Sequence, residues 1–483
     1  MSEQGSTTVV FPPQEKVGLI GPLSTPQVIG SGAAIALFVG GVLSGSLLGF
    51  VALALLVLAV TFVPWGGVPA RKVVLARFNW LRLGEKEWSA PLRGDGPAAP
   101  FLRGISLHLE VDPTPGNAPA GVVQARGGAY SVVFEVDASS TLLLSGAEQT
   151  ARFDAWGEVL TGICVERGTT LCAERLAWTD VHQASDPAGL IRRHNKLSVD
   201  GPARGDYEEH VSTFGAVAAR HRVLVTATIT RAGRLRVAKQ QGFSGSADEI
   251  MRQAAVAVGR DLAEELAGQG FKCGALLSPA EIARVVLDAC DPYAMRPDGL
   301  AARERFGLPV RTGPDQVTRS RHLVEMDGAC HRVFAVRWPR TTVDAAWMHL
   351  PLKIEGPKFV TTVYAGIAPS LADRQREALT SRSESNNAER AARRGRVRSK
   401  DQQKSVALLN ADKAITAGHQ DLDAYSFVVI SGRSIDELQR KSMLLRQAMR
   451  KAGRGDVREM TEHHDHAFAA ALPLGLWVKG TVE

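Results

Sequence analysis

The chain has 483 residues, with 57 Lys and Arg against 50 Asp and Glu, a formal charge of +7 and a pI near 9.2. The mild basic excess suits an anionic membrane face as well as nucleic acid, so charge alone selects neither. The five cysteines (Cys164, Cys172, Cys273, Cys290 and Cys330) are spread out and none forms C-x-x-C, which argues against a disulfide scaffold and for buried thiols in a reduced compartment.

Residues 1–27 form a polar N-terminal arm. Charge then disappears: between Lys16 and Arg71 there is no Asp, Glu, Lys or Arg. The apolar core, residues 28–63, is too long for one bilayer span of ~20 residues and suits two short ones. Leu43-Ser44-Gly45-Ser46 supplies the turn, so the pattern predicts a transmembrane helical hairpin, Val28–Leu43 and Leu47–Val63. Gly30, Gly32, Gly40 and Gly41 permit close helix contact. Trp65, Arg71, Lys72, Arg77 and Arg82 would sit at the membrane interface, and the basic residues place both termini on the cytoplasmic side of an inner membrane. Residues 64–100 comprise an amphipathic helix, Arg71–Glu87, either juxtamembrane or packed on a core, and a Pro/Gly/Ala-rich linker.

About 410 residues follow, enough for two or three domains. Residues 101–290 read as a first cytoplasmic α+β domain. It has strands at Gly104–Val111, Gly121–Arg126, Ala129–Asp137, Thr169–Thr179, Arg222–Thr230 and Gly270–Ala275, and helices at Ser145–Arg167, Asp206–Arg220, Ser246–Gly268 and Ser278–Ala289. Residues 291–321 read as an exposed connection. Residues 322–483 read as a second α+β domain. Its strands are Arg332–Trp338, Lys358–Ala368, Asp423–Ser431 and Asp456–Met460. Its helices are Thr342–Leu350, a long charged one over 371–417, and Ser434–Ala452. Ala129-Tyr130-Ser131-Val132-Val133 and Ala424-Tyr425-Ser426-Phe427-Val428 match loosely, each preceding a helix, as in the β-α units of ferredoxin-like halves.

Chemistry is sparse in the sequence. There is no Walker loop, Rossmann glycine motif, H-E-x-x-H or G-x-S-x-G. Glu462-His463-His464-Asp465-His466 carries metal-ligand types, but on a helix neighbouring side chains diverge by ~100° and only His463 and His466 share a face, which favours a solvated or interface cluster over a metal site. Arg374–Lys404 has ten Lys and Arg against four acids, a net of +6. Without aromatic residues for stacking, the run reads as a solvated helix or partner-contact face, with Arg390, Arg393, Arg394, Arg396 and Arg398 at its centre, and nucleic acid or headgroups as lesser readings.

Three features together resemble one family: the strand-helix unit at Tyr130–Asp137; the strand Tyr425–Ser431 with Gly432-Arg433-Ser434 and Glu437-Leu438; and the ending Ala467-Phe468 to Leu472-Pro473-Leu474-Gly475. Their order resembles the N-terminal, non-ATPase half of the conjugation and type IV secretion ATPases (the TrbE/CagE type). The hairpin, with Gly21-Pro22-Leu23-Ser24-Thr25-Pro26 before it, resembles the PrgI-like inner-membrane partner of those enzymes, as in actinobacterial SCO-type fusions. The resemblance implies an oligomeric inner-membrane scaffold that is not an enzyme. It would have no cofactor, and it would work with a separate Walker-type ATPase, other secretion subunits and phospholipid. Phe468, Leu472, Pro473 and Leu474 would face that ATPase. Alternatives are a type VII accessory subunit (EccE-like), a membrane-tethered metal hydrolase using His463, His464, Asp465 and His466, and a membrane-attached DNA-binding protein.

Overall fold

A computed structural model describes residues 8–9, 25–44, 47–62, 64–65, 68–69, 87–89, 99–110, 119–137, 146–165, 169–183, 220–293, 313–337, 343–344, 354–367, 422–451 and 456–476. Contacts divide the chain into two units: residues 12–85 with 370–417, and the remainder.

In the first unit, α1 (Thr25–Ser44) and α2 (Leu47–Phe62) pack on each other as a helical hairpin. A two-residue ribbon follows, β2 (Pro64–Trp65) with β3 (Val68–Pro69). The seam is made of small residues: Ala34 and Ala54 are buried, Gly30 lies against Thr61 and Gly41 against Phe50. The expectation of two membrane spans does not hold. Among the described residues, no helix is long and apolar enough to cross a membrane. The 16 residues of α2 rise ~24 Å, short of the roughly 30 Å hydrocarbon layer. The 20 residues of α1 open on Thr25-Pro26-Gln27 and close on Ser44, so the apolar part is no longer than α2. The inner-membrane placement, the orientation derived from it and the interfacial role of Trp65 fall with the spans. Arg71, Lys72, Arg77 and Arg82 and the amphipathic segment lie outside the described residues.

The second unit is α+β, built on a 13-stranded antiparallel sheet. Beside it, β1 (Thr8–Val9) pairs with β14 (Val343–Asp344). The sheet's strands are β4 (Glu87–Ser89), β5 (Ser106–Glu110), β6 (Ala120–Ala125), β7 (Ala129–Asp137), β8 (Arg175–Gln183), β9 (Arg220–Thr230), β10 (Lys272–Leu276), β11 (Gln316–Arg319), β12 (Val324–Met326), β13 (Ala329–Arg337), β15 (Lys358–Gly366), β16 (Leu422–Gly432) and β17 (Asp456–Glu459). The helices are α3 (Gly146–Gly162), α4 (Arg231–Gln240), α5 (Ala247–Gly268), α6 (Pro279–Cys290), α7 (Ile435–Lys451) and α8 (His464–Ala471).

The sheet order is β4-β11-β12-β13-β16-β15-β8-β9-β7-β6-β5, with β10 added beside β7 and β17 beside β13. This order is a near-palindrome about the β15–β8 pair. In the first half β5, β6 and β7 form hairpins, β9 inserts between β7 and β8, helix α5 follows β9 and α4, and β10 returns to β7 before α6. In the second half β11, β12 and β13 form hairpins, β16 inserts between β13 and β15, helix α7 follows β16, and β17 returns to β13 before α8. The chain therefore carries a structural duplication. Near its pseudo-axis Thr361 faces Thr179, and their hydroxyls are 3.1 Å apart. The short string match predicted a repeat but aligned β7 with β16, whereas the counterpart of β7 is β13 and that of β16 is β9. Strands from 101–290 and from 322–483 thus share one sheet.

Side chains alternate between faces along each strand. Val133, Val333, Phe359 and Val429 face one core, closed by α6 and α8. Val132, Phe134, Val223 and Val225 face a second, under α3 and α5. Phe334, Val336, Val360 and Val428 face a third, under α7. Capping boxes at Ser246–Glu249 and Ser278–Glu281 start α5 and α6, satisfying backbone N–H groups that a helix start leaves open.

Candidate functional site

The closing segment is interior. Phe468 is fully buried, with its ring 6.0 Å from Phe101, 5.4 Å from Phe359 and 5.0 Å from His331, each edge-on. Leu472, Pro473 and Leu474 are buried beside it. Sheet hydroxyls tie the segment down: Thr361 Oγ1 donates to the Ala471 carbonyl at 2.5 Å and Thr226 Oγ1 to the Pro473 carbonyl at 3.2 Å. Gly475 then takes φ +66°, where an added Cβ would lie 2.2 Å from the hydroxyls of Ser131 and Thr228. Leu-Pro-Leu-Gly is thus a fitted end piece over the sheet, and its four named residues offer a partner no free surface in this fold.

The histidine cluster is dispersed by its backbone. His464 is buried; the Val333 N–H donates to its Nδ1 at 3.1 Å, and its Nε2 lies 3.8 Å from Glu459. Burial holds the His464 pKa below the usual histidine value. Asp465, buried, pairs with Arg319 at 2.7 Å, and Glu462 with Arg321 at 3.4 Å. His463 is half-buried, and burial lowers its pKa as well. His466 Nε2 lies 3.9 Å from Asp465. Among the described residues no group of three or more His, Cys, Asp or Glu side chains is arranged to hold a metal. Arg390, Arg393, Arg394, Arg396 and Arg398 lie outside the described residues.

One polar site was invisible in the sequence because register creates it. Lys358 of β15 pairs with His182 of β8, which pairs with His221 of β9. The two imidazoles stack at 4.6 Å, and His221 Nε2 is 3.0 Å from Asp180. Lys358 Nζ donates to the Ile354 carbonyl at 2.5 Å, and burial lowers its pKa to about 8. Burial, then the charge of Lys358, pushes His182 down to about 3, so it is neutral at physiological pH. A cleft of about 430 Å³ adjoins His221, lined also by Glu135, Asp137, Arg222, Lys272 and Cys273. Within it Arg222 and Glu135 neutralise each other at 2.8 Å, and burial raises the Cys273 thiol pKa, which makes it a poor nucleophile. Arg222 with Glu135 and His221 with Asp180 pair within the sheet, while the Lys358 ammonium is held by carbonyl oxygens, an arrangement suited to holding strand ends.

The hairpin differs. Ile29, Ile35, Phe38, Val42, Leu43, Leu48, Leu55 and Leu56 are each at least half exposed, Leu48 at 89%. One small-residue seam covers one stripe of each helix and leaves the outer stripes bare. An apolar surface of this extent marks an interaction site. Among the described residues it is the strongest candidate for a functional surface, and it can bind an apolar partner but supplies no acid, base or nucleophile.

No protein-family model matches this chain, and no curated protein matches it.

Proposed function

We propose that the chain is a docking scaffold of a type IV-like secretion or conjugation machine, engaging a separate Walker-type ATPase through its N-terminal helical hairpin. The observation that carries this reading is the exposed apolar surface of α1 and α2. The order of strand, Gly432-Arg433-Ser434, helix and Leu472-Pro473-Leu474-Gly475 supplies the class of partner, through its resemblance to the non-ATPase half of such enzymes. The test is co-purification with a Walker-loop ATPase encoded beside this chain. Ile35→Glu combined with Leu55→Glu places two charges on the exposed surface and is expected to lower ATPase capture at least tenfold, on the scale of ~1.4 kcal/mol. Capture unchanged by that variant overturns the proposal.

A further inference from the structure

The duplication exposes a difference between its two halves. Helix α5 is covered, because α3 and α4 both pack on it. Helix α4 is encoded in the long link between β9 and α5, residues 231–246. In the second half only Arg433 and Ser434 separate β16 from α7, so α7 has no counterpart of α4. Helix α7 packs on β13, β16 and β17; Met443, 57% exposed, lies at the middle of its solvent-facing half, and Ile435 and Leu444, at 61% and 52%, lie at its two edges. Four large exposed hydrophobics are found among the described residues of the sheet unit, and three of them are these.

The charges on that face say what covers it. Asp436, Met443 and Arg450 recur every seven residues and so share one line along the helix. Asp436 and Arg450 are exposed. An antiparallel second copy of α7, with its two-fold axis at Met443, sets Asp436 of each copy against Arg450 of the other, Gln439 against Gln447, and Arg440 against Arg446, whose charge Glu459 already neutralises at 2.7 Å. Such an interface is isologous, with each charged pair occurring twice.

We propose that α7 is a self-association surface, pairing antiparallel with α7 of a second copy of this chain about Met443. Helix α7 and the hairpin belong to different units and are altered by different substitutions, so ATPase capture and self-association are tested independently. Macrodipole compensation also favours an acid in the first turn and bases in the last, and the test separates the two explanations. Sedimentation of the full chain in low salt is measured for Asp436→Arg, for Arg450→Asp and for the double variant. Each single reversal is expected to weaken self-association roughly tenfold, since two attractive pairs become repulsive. The double variant is expected to restore it, although it worsens the fit to the helix dipole. As a second readout, Met443→Cys is expected to cross-link between copies with a short bis-maleimide. Single reversals without effect, a double variant no better than the singles, or no cross-link through Met443→Cys overturns the proposal.

Discussion

The hairpin and the closing segment are both apolar, and they meet opposite fates. Leu48 in α2 is 89% exposed, while Phe468 in α8 is fully buried. The closing segment has a large sheet to land on, with threonine hydroxyls placed to donate to its carbonyls. The hairpin has one partner helix within its described residues, and a pair of helices covers one stripe of each. Apolar composition therefore reports a need for burial, and the number of packing layers decides whether the chain meets that need itself.

Substitutions in the two regions should differ sharply. Phe468→Ala removes a ring in edge contact with Phe101, Phe359 and His331, and is expected to destabilise the sheet unit by ~3–5 kcal/mol in chemical denaturation. A loss below ~1 kcal/mol would mean that the segment is not core. Arg319→Ala leaves Asp465 buried without its partner and is expected to cost about 3 kcal/mol or more, read by the same method.

The histidines supply a pH-dependent effect of similar size. His331 is fully buried, with Nε2–H donating to the Cys290 carbonyl and Nδ1 accepting from Ser431, and burial lowers its pKa to about 4. The unfolded chain, with a histidine pKa near 6.5, then takes up the proton first. Stability from this group is complete above pH ~6.5 and is lost as pH falls towards 4, by up to about 3 kcal/mol. His331→Gln should flatten that slope, as followed by thermal unfolding between pH 4 and 7; an unchanged slope counts against the assignment. The smallest effect belongs to the hairpin. Leu48→Ala should leave unfolding within about 0.5 kcal/mol of the parent. A larger loss would show Leu48 to be covered within its own chain.

Much of the fold was legible where local chemistry decides. The hairpin bounds follow from the uncharged run, with expected helices at 28–43 and 47–63 and observed ones at Thr25–Ser44 and Leu47–Phe62. The Ser-x-x-Glu boxes at Ser246 and Ser278 mark their helices directly. Helix α4 was missed because β9 runs into it without a break, Thr230 serving as both strand end and helix cap. Strands β11 and β12, of four and three residues, are too short for alternation to register: β11 falls in the stretch 291–321 that read as an exposed connection, and no element was expected over β12. β8 was expected at Thr169–Thr179 and lies at Arg175–Gln183. The Lys358–His182–His221 row depends on pairing between strands far apart in sequence, for which no local signal exists. Membrane spanning failed as a reading because composition reports lack of charge and not the length of each helix. The duplication was sensed through the wrong string, since its halves share topology rather than matching residues.

The hairpin's role is tested most directly by titrating the full-length chain with the purified ATPase in a calorimeter. The parent is compared with the Ile35→Glu, Leu55→Glu double variant and with Asp436→Arg as a charge-change control on the sheet unit. The account predicts that the hairpin variant binds at least tenfold more weakly, with sheet unfolding unchanged, and that the control binds as the parent does. Equal binding by parent and hairpin variant would contradict it.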